Sequence, residues 1–154
     1  MLEAGDKAPL AIKVKDQDGN TVSLKDLKGK RVILYFYPKD DTPGCTKEAC
    51  NFRDEIDVYR ELGYTIIGVS GDTEAKHQKF IKKYDLNFPL WADTENELST
   101  AFGSYGEKSM YGRAYMGITR STFIIGEDGK ILKAYHKVKA ESHSEEILED
   151  LKSM

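Results

Sequence analysis

The sequence predicts an α/β fold: a central mixed β-sheet flanked by helices, with an N-terminal β-hairpin. Three observations carry that prediction. Val32-Ile-Leu-Tyr-Phe-Tyr37 and Thr65-Ile-Ile-Gly-Val-Ser70 are short and almost wholly apolar, as strands covered on both faces are. The stretch between them carries Ala49, Phe52, Ile56, Tyr59 and Leu62 at helical spacing, so strand, helix and strand form a right-handed parallel crossover. Two apolar runs around Asp128-Gly129 add a hairpin near the C-terminus.

In chain order, Ala11-Ile-Lys-Val-Lys15 alternates apolar and polar, turns at Asp18-Gly19-Asn20 and returns through Thr21-Val-Ser-Leu24, the expected N-terminal hairpin. A helical turn at 24–27 ends before Gly29, and the first buried strand runs from Val32 to Pro38. A loop at 39–44 leads into one helix from about Pro43 to Leu62, closed by Gly63. The second strand follows, then helices at 74–84 and 95–102. Residues 103–118 are rich in Gly and Tyr without a clear period and read as a long loop. Strands at 121–125 and 130–135 and a helix at 144–152 complete the chain. This order is a thioredoxin-like arrangement.

At 154 residues the chain has the length of one domain, residues 1–154, with its own core. The apolar share of 40% and charged share of 32% are those of an ordinary globular protein. A net charge of -3 leaves no basic footprint for nucleic acid and no polybasic patch for a membrane. The longest apolar run, Val32 to Tyr37, is too short to span a bilayer, and Met1-Leu-Glu-Ala-Gly-Asp-Lys lacks the layout of a secretory signal. The expectation is a soluble, cytoplasmic protein.

The 2 cysteines, Cys45 and Cys50, form no disulfide scaffold of the kind small secreted domains need, and no second Cys or Cys/His pair stands at zinc-ligand spacing. His77, His136 and His143 read as surface histidines. What remains is redox or nucleophilic chemistry, or two inert thiols. Position favours the first. Thr42-Pro43 is a good helix start, with Thr as N-cap and Pro at the first helical residue. Cys45 then falls in the first turn, where unpaired N–H groups and the positive end of the helix dipole favour a thiolate. Thr42, the Gly44 and Cys45 N–H groups and one arginine are the groups available to bind a reacting oxygen and stabilise charge on a leaving one.

Pro38-x-x-x-Thr42-x-x-Cys45 resembles the active-site signature of the peroxiredoxins. Gly5-Asp-Lys-Ala-Pro9 resembles the family's opening. Gly106-Glu-Lys-x-Met-Tyr-Gly-x-x-Tyr-Met-Gly-Ile-Thr-Arg120-Ser-Thr-Phe resembles its distal segment. Cys50 stands where the bacterioferritin-comigratory-protein (Q-type) branch has its resolving cysteine. The resemblance implies a thiol peroxidase that reduces hydrogen peroxide and organic hydroperoxides, with Cys45 attacking and Cys50 resolving through a Cys45–Cys50 disulfide. It implies electrons from thioredoxin or a similar dithiol, no cofactor and no metal. It also implies Arg120 as the active-site arginine, Glu48 as the group orienting it, and Pro38 shaping and shielding the pocket. Because no second subunit need supply a thiol, it implies a monomer.

Two other readings are compatible with a cysteine pair. A thiol–disulfide oxidoreductase wants Cys-x-x-Cys, and here four residues intervene. A non-catalytic redox sensor would need neither Arg120 nor Thr42. Geometry adds one requirement to the peroxidase reading. Five helical steps separate two Cα atoms by about 8.6 Å, whereas a disulfide needs about 4.4–6.8 Å, so the first turns of the helix must unwind before the bridge closes.

Overall fold

The computed structural model describes all 154 residues. Its centre is β3 (Arg31–Phe36), whose six residues lie between β4 (Tyr64–Ser70) and β8 (Ser121–Ile125). The β3–β4 pair is parallel, with Ile33 opposite Ile66, and the β3–β8 pair is antiparallel, with Leu34 opposite Phe123. Outward from these lie β5 (Leu90–Ala92), β1 (Val14–Lys15) and β2 (Thr21–Val22) on one side and β9 (Ile131–Tyr135) on the other. The sheet therefore has seven strands in the order β2-β1-β5-β4-β3-β8-β9 and is mixed. No helix is long and apolar enough to cross a membrane.

Alternation along β3 sorts the core into two layers. Ile33, Tyr35 and Tyr37 face α1 (Pro43–Asp54), α2 (Ile56–Glu61), α3 (Glu74–Tyr84) and α5 (His143–Lys152), which contribute Ala49, Phe52, Tyr59, Phe80 and Ile147. Val32, Leu34 and Phe36 face the opposite layer, where α4 (Glu97–Phe102) brings Leu98 and Phe102. The apolar runs seen in the sequence are the strands covered on both faces. The first layer is rich in aromatic rings: Phe52 packs with its ring centroid 4.8 Å from that of Tyr35 and 5.8 Å from that of Tyr59.

Four elements differ from the sequence reading. The expected long helix is two, because Glu55 (φ -108, ψ 12) leaves helical geometry between α1 and α2. Phe52, Ile56 and Tyr59 keep their inward spacing across the break, which is why the pattern reads as one helix. The expected loop at 103–118 is a β-hairpin, β6 (Tyr105–Met110) and β7 (Arg113–Ile118). Its strands are largely solvent-exposed, so no apolar alternation marks them. Its turn residues, Tyr111 (φ 52) and Gly112 (φ 78), both take positive φ as a two-residue hairpin turn requires, though Tyr is an unusual first residue there. Strand β5 leaves no trace in the sequence pattern, since three residues after Pro89 are too few for a period. Helix α4 starts two residues later than expected.

Two of the three histidines are likewise misread as surface groups. His77 and His143 are buried, and only His136 is exposed. His77 lies on the inner face of α3 with both ring nitrogens hydrogen-bonded, to Asp40 and to the Trp91 carbonyl. His143 is bonded to Thr122 and Glu146 and lies edge-on to Tyr135. Polar partners offset the cost of burying each ring.

The Tyr35 and Leu90 side chains pack over Gly68, which is opposite Tyr35 in the β3–β4 pair. A Cβ at Gly68 would stand 2.8 Å from Tyr35 Cζ and 2.8 Å from Leu90 Cδ2. Gly68→Ala is therefore expected to over-pack the layer and cost about 1–3 kcal/mol in urea unfolding. An unchanged midpoint would show that Tyr35 moves aside freely.

Candidate active site

Cys45 sits in the first turn of α1, where the parallel strand β3 hands over to its crossover helix. Thr42 is the N-cap by backbone conformation (φ -97, ψ 155) and Pro43 opens the helix, as the sequence indicates. The Thr42 hydroxyl does not cap, however. It donates to the Lys39 carbonyl at 3.0 Å, tightening the loop instead. The Gly44 and Cys45 N–H groups have no acceptor within the chain, so two first-turn donors stay open beside the thiol. Cys45 itself is 2% exposed.

Arg120, between β7 and β8, reaches this turn from across the sheet. Its Nη2 donates to Cys45 Sγ at 3.3 Å and its Nη1 to Glu48 Oε1 at 2.7 Å. Glu48 is one helical turn after Cys45 and 1% exposed, so one guanidinium joins two side chains of the same helix face. The absence of a side chain at Gly44 makes room for it, because a Cβ there would stand 3.2 Å from Arg120 Nη2. Burial works against the Arg120 charge, but Glu48 and Cys45 outweigh it and hold the guanidinium protonated.

Glu48 is in the opposite position. Burial pushes its carboxyl up to about 7, and Arg120 only partly opposes this. Its Oε2 has no hydrogen-bond partner, and neither has the buried Tyr35 hydroxyl, whose own pKa is raised well above normal by burial first and by Glu48 next. Lys108 of β6 is close enough to Arg120 and Cys45 to be influenced by both charges. Its pKa is lowered by burial and then by Arg120, and raised by Cys45, while its ammonium donates to the Ile118 carbonyl at 2.8 Å. The hairpin read as a loop thus brings a second cation towards Cys45.

The structure brings Cys45, Gly44, Glu48 and Arg120 together. Thr42 is three residues from Cys45 but makes no hydrogen bond to its sulfur. Pro38 follows β3 directly and is exposed. Cys50 lies further along the same unbroken helix, half-buried, and both thiols are free. Tyr35, Lys108, Asp40 and His77 were not identified from sequence. Tyr35 shares its strand run with Tyr37, so its hydroxyl does not stand out in the sequence.

Residues 4–134 match the model of the AhpC/TSA family. Peroxiredoxin Bcp of Bacillus subtilis is 49% identical over 153 residues, covering 99% of this chain and 97% of the relative. The chain belongs to the peroxiredoxins, in the Bcp/Q branch. Peroxiredoxin Bcp of Escherichia coli is 43% identical and covers 98% of this chain and 96% of its own. Peroxiredoxin Q of Xanthomonas campestris superposes with a TM-score of 0.91 at 35% identity, over 97% of both chains. The bacterioferritin comigratory protein of that organism, solved with trapped intermediates to explain its alkyl peroxide reduction, superposes with a TM-score of 0.88 at 34% identity, over 96% of this chain and 98% of its own. This peroxiredoxin is accordingly a thiol peroxidase with the thioredoxin-like fold that its element order predicts.

The Glu48 carboxyl makes stability depend on pH. Its folded-state pKa lies above the unfolded value of 4.5, so between about pH 4.5 and 7 the folded chain keeps a proton that the unfolded chain has lost. Stability from this group is full below that window and is lost as pH rises through it, by up to about 3 kcal/mol. Glu48→Gln is expected to flatten the slope in urea unfolding at pH 5, 6 and 7. A slope identical to that of the parent would assign the proton elsewhere.

Proposed function

We propose that this peroxiredoxin reduces hydrogen peroxide and alkyl hydroperoxides through Cys45, resolves the product through Cys50, and is re-reduced by thioredoxin or a similar dithiol. The observation that carries the reading is the buried Cys45 sulfur, with Arg120 Nη2 at 3.3 Å and two unpaired N–H groups in its own helical turn. These donors suit both a thiolate and the oxygens of a peroxide in line with it. The alkyl peroxide activity of the Xanthomonas campestris relative supports the substrate class.

The cycle has three balanced steps. Cys45 thiolate attacks the terminal peroxide oxygen, the O–O bond breaks, and the departing alkoxide takes a proton, leaving Cys45 sulfenic acid and an alcohol or water. Cys50 thiolate attacks the sulfenic sulfur, the S–O bond breaks, and the departing hydroxide takes a proton to leave as water as the disulfide forms. A dithiol then attacks that disulfide through a mixed disulfide, becoming oxidised itself as both thiols return. Arg120 stabilises charge on the departing oxygen, and Glu48 holds Arg120 in place. Thr42 supports the loop before the thiol. With both thiols on one chain, one copy suffices for the cycle, consistent with a monomer made of a single domain.

Cys45→Ser is expected to abolish peroxide consumption coupled to NADPH through thioredoxin and its reductase. Cys50→Ser should complete one stoichiometric turnover and stop at the sulfenic acid, to be rescued by an added monothiol. Sustained thioredoxin-driven turnover in Cys50→Ser would mean that Cys50 only packs.

Helix α1 runs unbroken from Pro43 to Asp54, so its two thiols stand too far apart for a bridge while it stays folded. Attack uses the folded first turn, and resolution uses an opened one. Amide hydrogen exchange at residues 46–52, whose N–H groups are bonded in the folded helix from Thr46 N–H to the Thr42 carbonyl onward, is expected to be slow in the reduced protein and fast in the disulfide form. Equal protection in both, with the disulfide confirmed by mass, would sink the unwinding step.

A further inference from the structure

The loop that delivers Cys45 is held from behind by a buried polar chain that takes no part in the reaction above. Asp40, 8% exposed, accepts from the Tyr37 hydroxyl through one carboxylate oxygen and faces His77 Nδ1 at 2.7 Å through the other. The other ring nitrogen, Nε2, faces the Trp91 carbonyl at 2.9 Å. A carbonyl only accepts, so Nε2 carries a hydrogen, and a further hydrogen must stand between Nδ1 and Asp40. The Asp40 backbone N–H donates to Asp72 Oδ2 at 2.8 Å, which also accepts from the Ser70 hydroxyl at 2.8 Å. Lys76 Nζ lies 3.9 Å from the other Asp72 oxygen.

The next residue is held from the same helix. Asp41 takes a positive φ of 56, in the left-handed region that Asp tolerates better than most non-glycine residues, and accepts from Lys83 Nζ at 2.8 Å and the Tyr84 hydroxyl at 2.6 Å. Two consecutive loop residues are thus gripped by α3, immediately before Thr42, Pro43 and the first turn of α1. The Asp41 contacts are exposed and weak, whereas the His77 contact is dry.

We infer that His77 is a positioning residue for peroxide attack: through its buried contact with Asp40 it sets where the Cys45 turn begins. His77 touches neither Cys45 nor Arg120 by any hydrogen bond, so it acts only by fixing the loop. Misplacing a reacting group by about 1 Å costs on the order of 100-fold in rate, so a loosened loop should appear in the attack step. The inference rests on Cys45 being the attacking thiol.

Two isosteric variants separate the two ring contacts. His77→Asn keeps an N–H where Nδ1 stood and so keeps Asp40. His77→Gln keeps an N–H where Nε2 stood, retaining Trp91 and losing Asp40. Single-turnover oxidation of Cys45 by hydrogen peroxide is followed by quenched flow and mass, well below each variant's unfolding midpoint. His77→Gln is expected to slow attack about tenfold or more, with His77→Asn restored to within about threefold of the parent. A parental rate in His77→Gln, or equal slowing in both, overturns the inference, since packing or the Trp91 contact would then be what matters. Should His77→Gln fail to fold, Asp40→Ala takes its place: slowed attack there supports the inference and a parental rate overturns it. Cys45→Ser is run alongside. Peroxide consumption at the parental rate in Cys45→Ser defeats the assignment of Cys45, whereas an inert Cys45→Ser with parental His77→Gln defeats only the role of His77.

Discussion

The site depends on a cation kept inside the protein. Arg120 is largely withdrawn from water, and such a charge persists only where anions and acceptors surround it. Helix α1 supplies two of them on one face, Cys45 and Glu48, one turn apart. The guanidinium approaches closely because Gly44 has no side chain to block it. Strand β8 must then lie against β3, and α1 must start where β3 ends, for the pair to meet. Sheet order, helix start and one glycine are joined through this contact.

The carboxylate is the less comfortable partner. Glu48 has one oxygen on Arg120 and the other without a partner, and the buried Tyr35 hydroxyl, whose pKa Glu48 helps to raise, is unpartnered too. Native interiors rarely leave such atoms unpaired. A carboxyl near its own titration point at neutral pH holds the arginine in one form and relaxes its grip in the other. The arginine that faces the thiol is thus tied to a group whose charge is not fixed.

Most of the framework was legible because it follows from burial. Strands β3 and β4 are covered on both faces and read as apolar runs, and α3 and α5 carry clear one-sided patterns. Cys45 was legible because a Thr-Pro pair marks a helix start. Elements that bury little left little trace: the β6–β7 hairpin is mostly solvent-facing, and β5 is three residues long. His77 was misread for a different reason. Its burial depends on Asp40 and Trp91, which are 37 and 14 residues away in sequence, and no local pattern records such partners. The unpartnered oxygens beside Arg120 are properties of packing alone.

The interruption at Glu55 has a consequence for how far disorder can spread. An α-helix melts cooperatively because each residue released frees the hydrogen bond holding the next. At Glu55 the backbone leaves helical geometry, and its N–H is shared between the Asn51 and Phe52 carbonyls at 3.3 and 3.2 Å. Beyond it, α2 is pinned independently, with the Tyr59 hydroxyl donating to the Ser144 carbonyl on α5 at 2.9 Å. Fraying that begins at Pro43 therefore meets a natural boundary after one short helix. The aromatic layer meets that opening through Phe52, whose ring centroid is 5.8 Å from that of Tyr59, while Tyr59 itself stays anchored to α5.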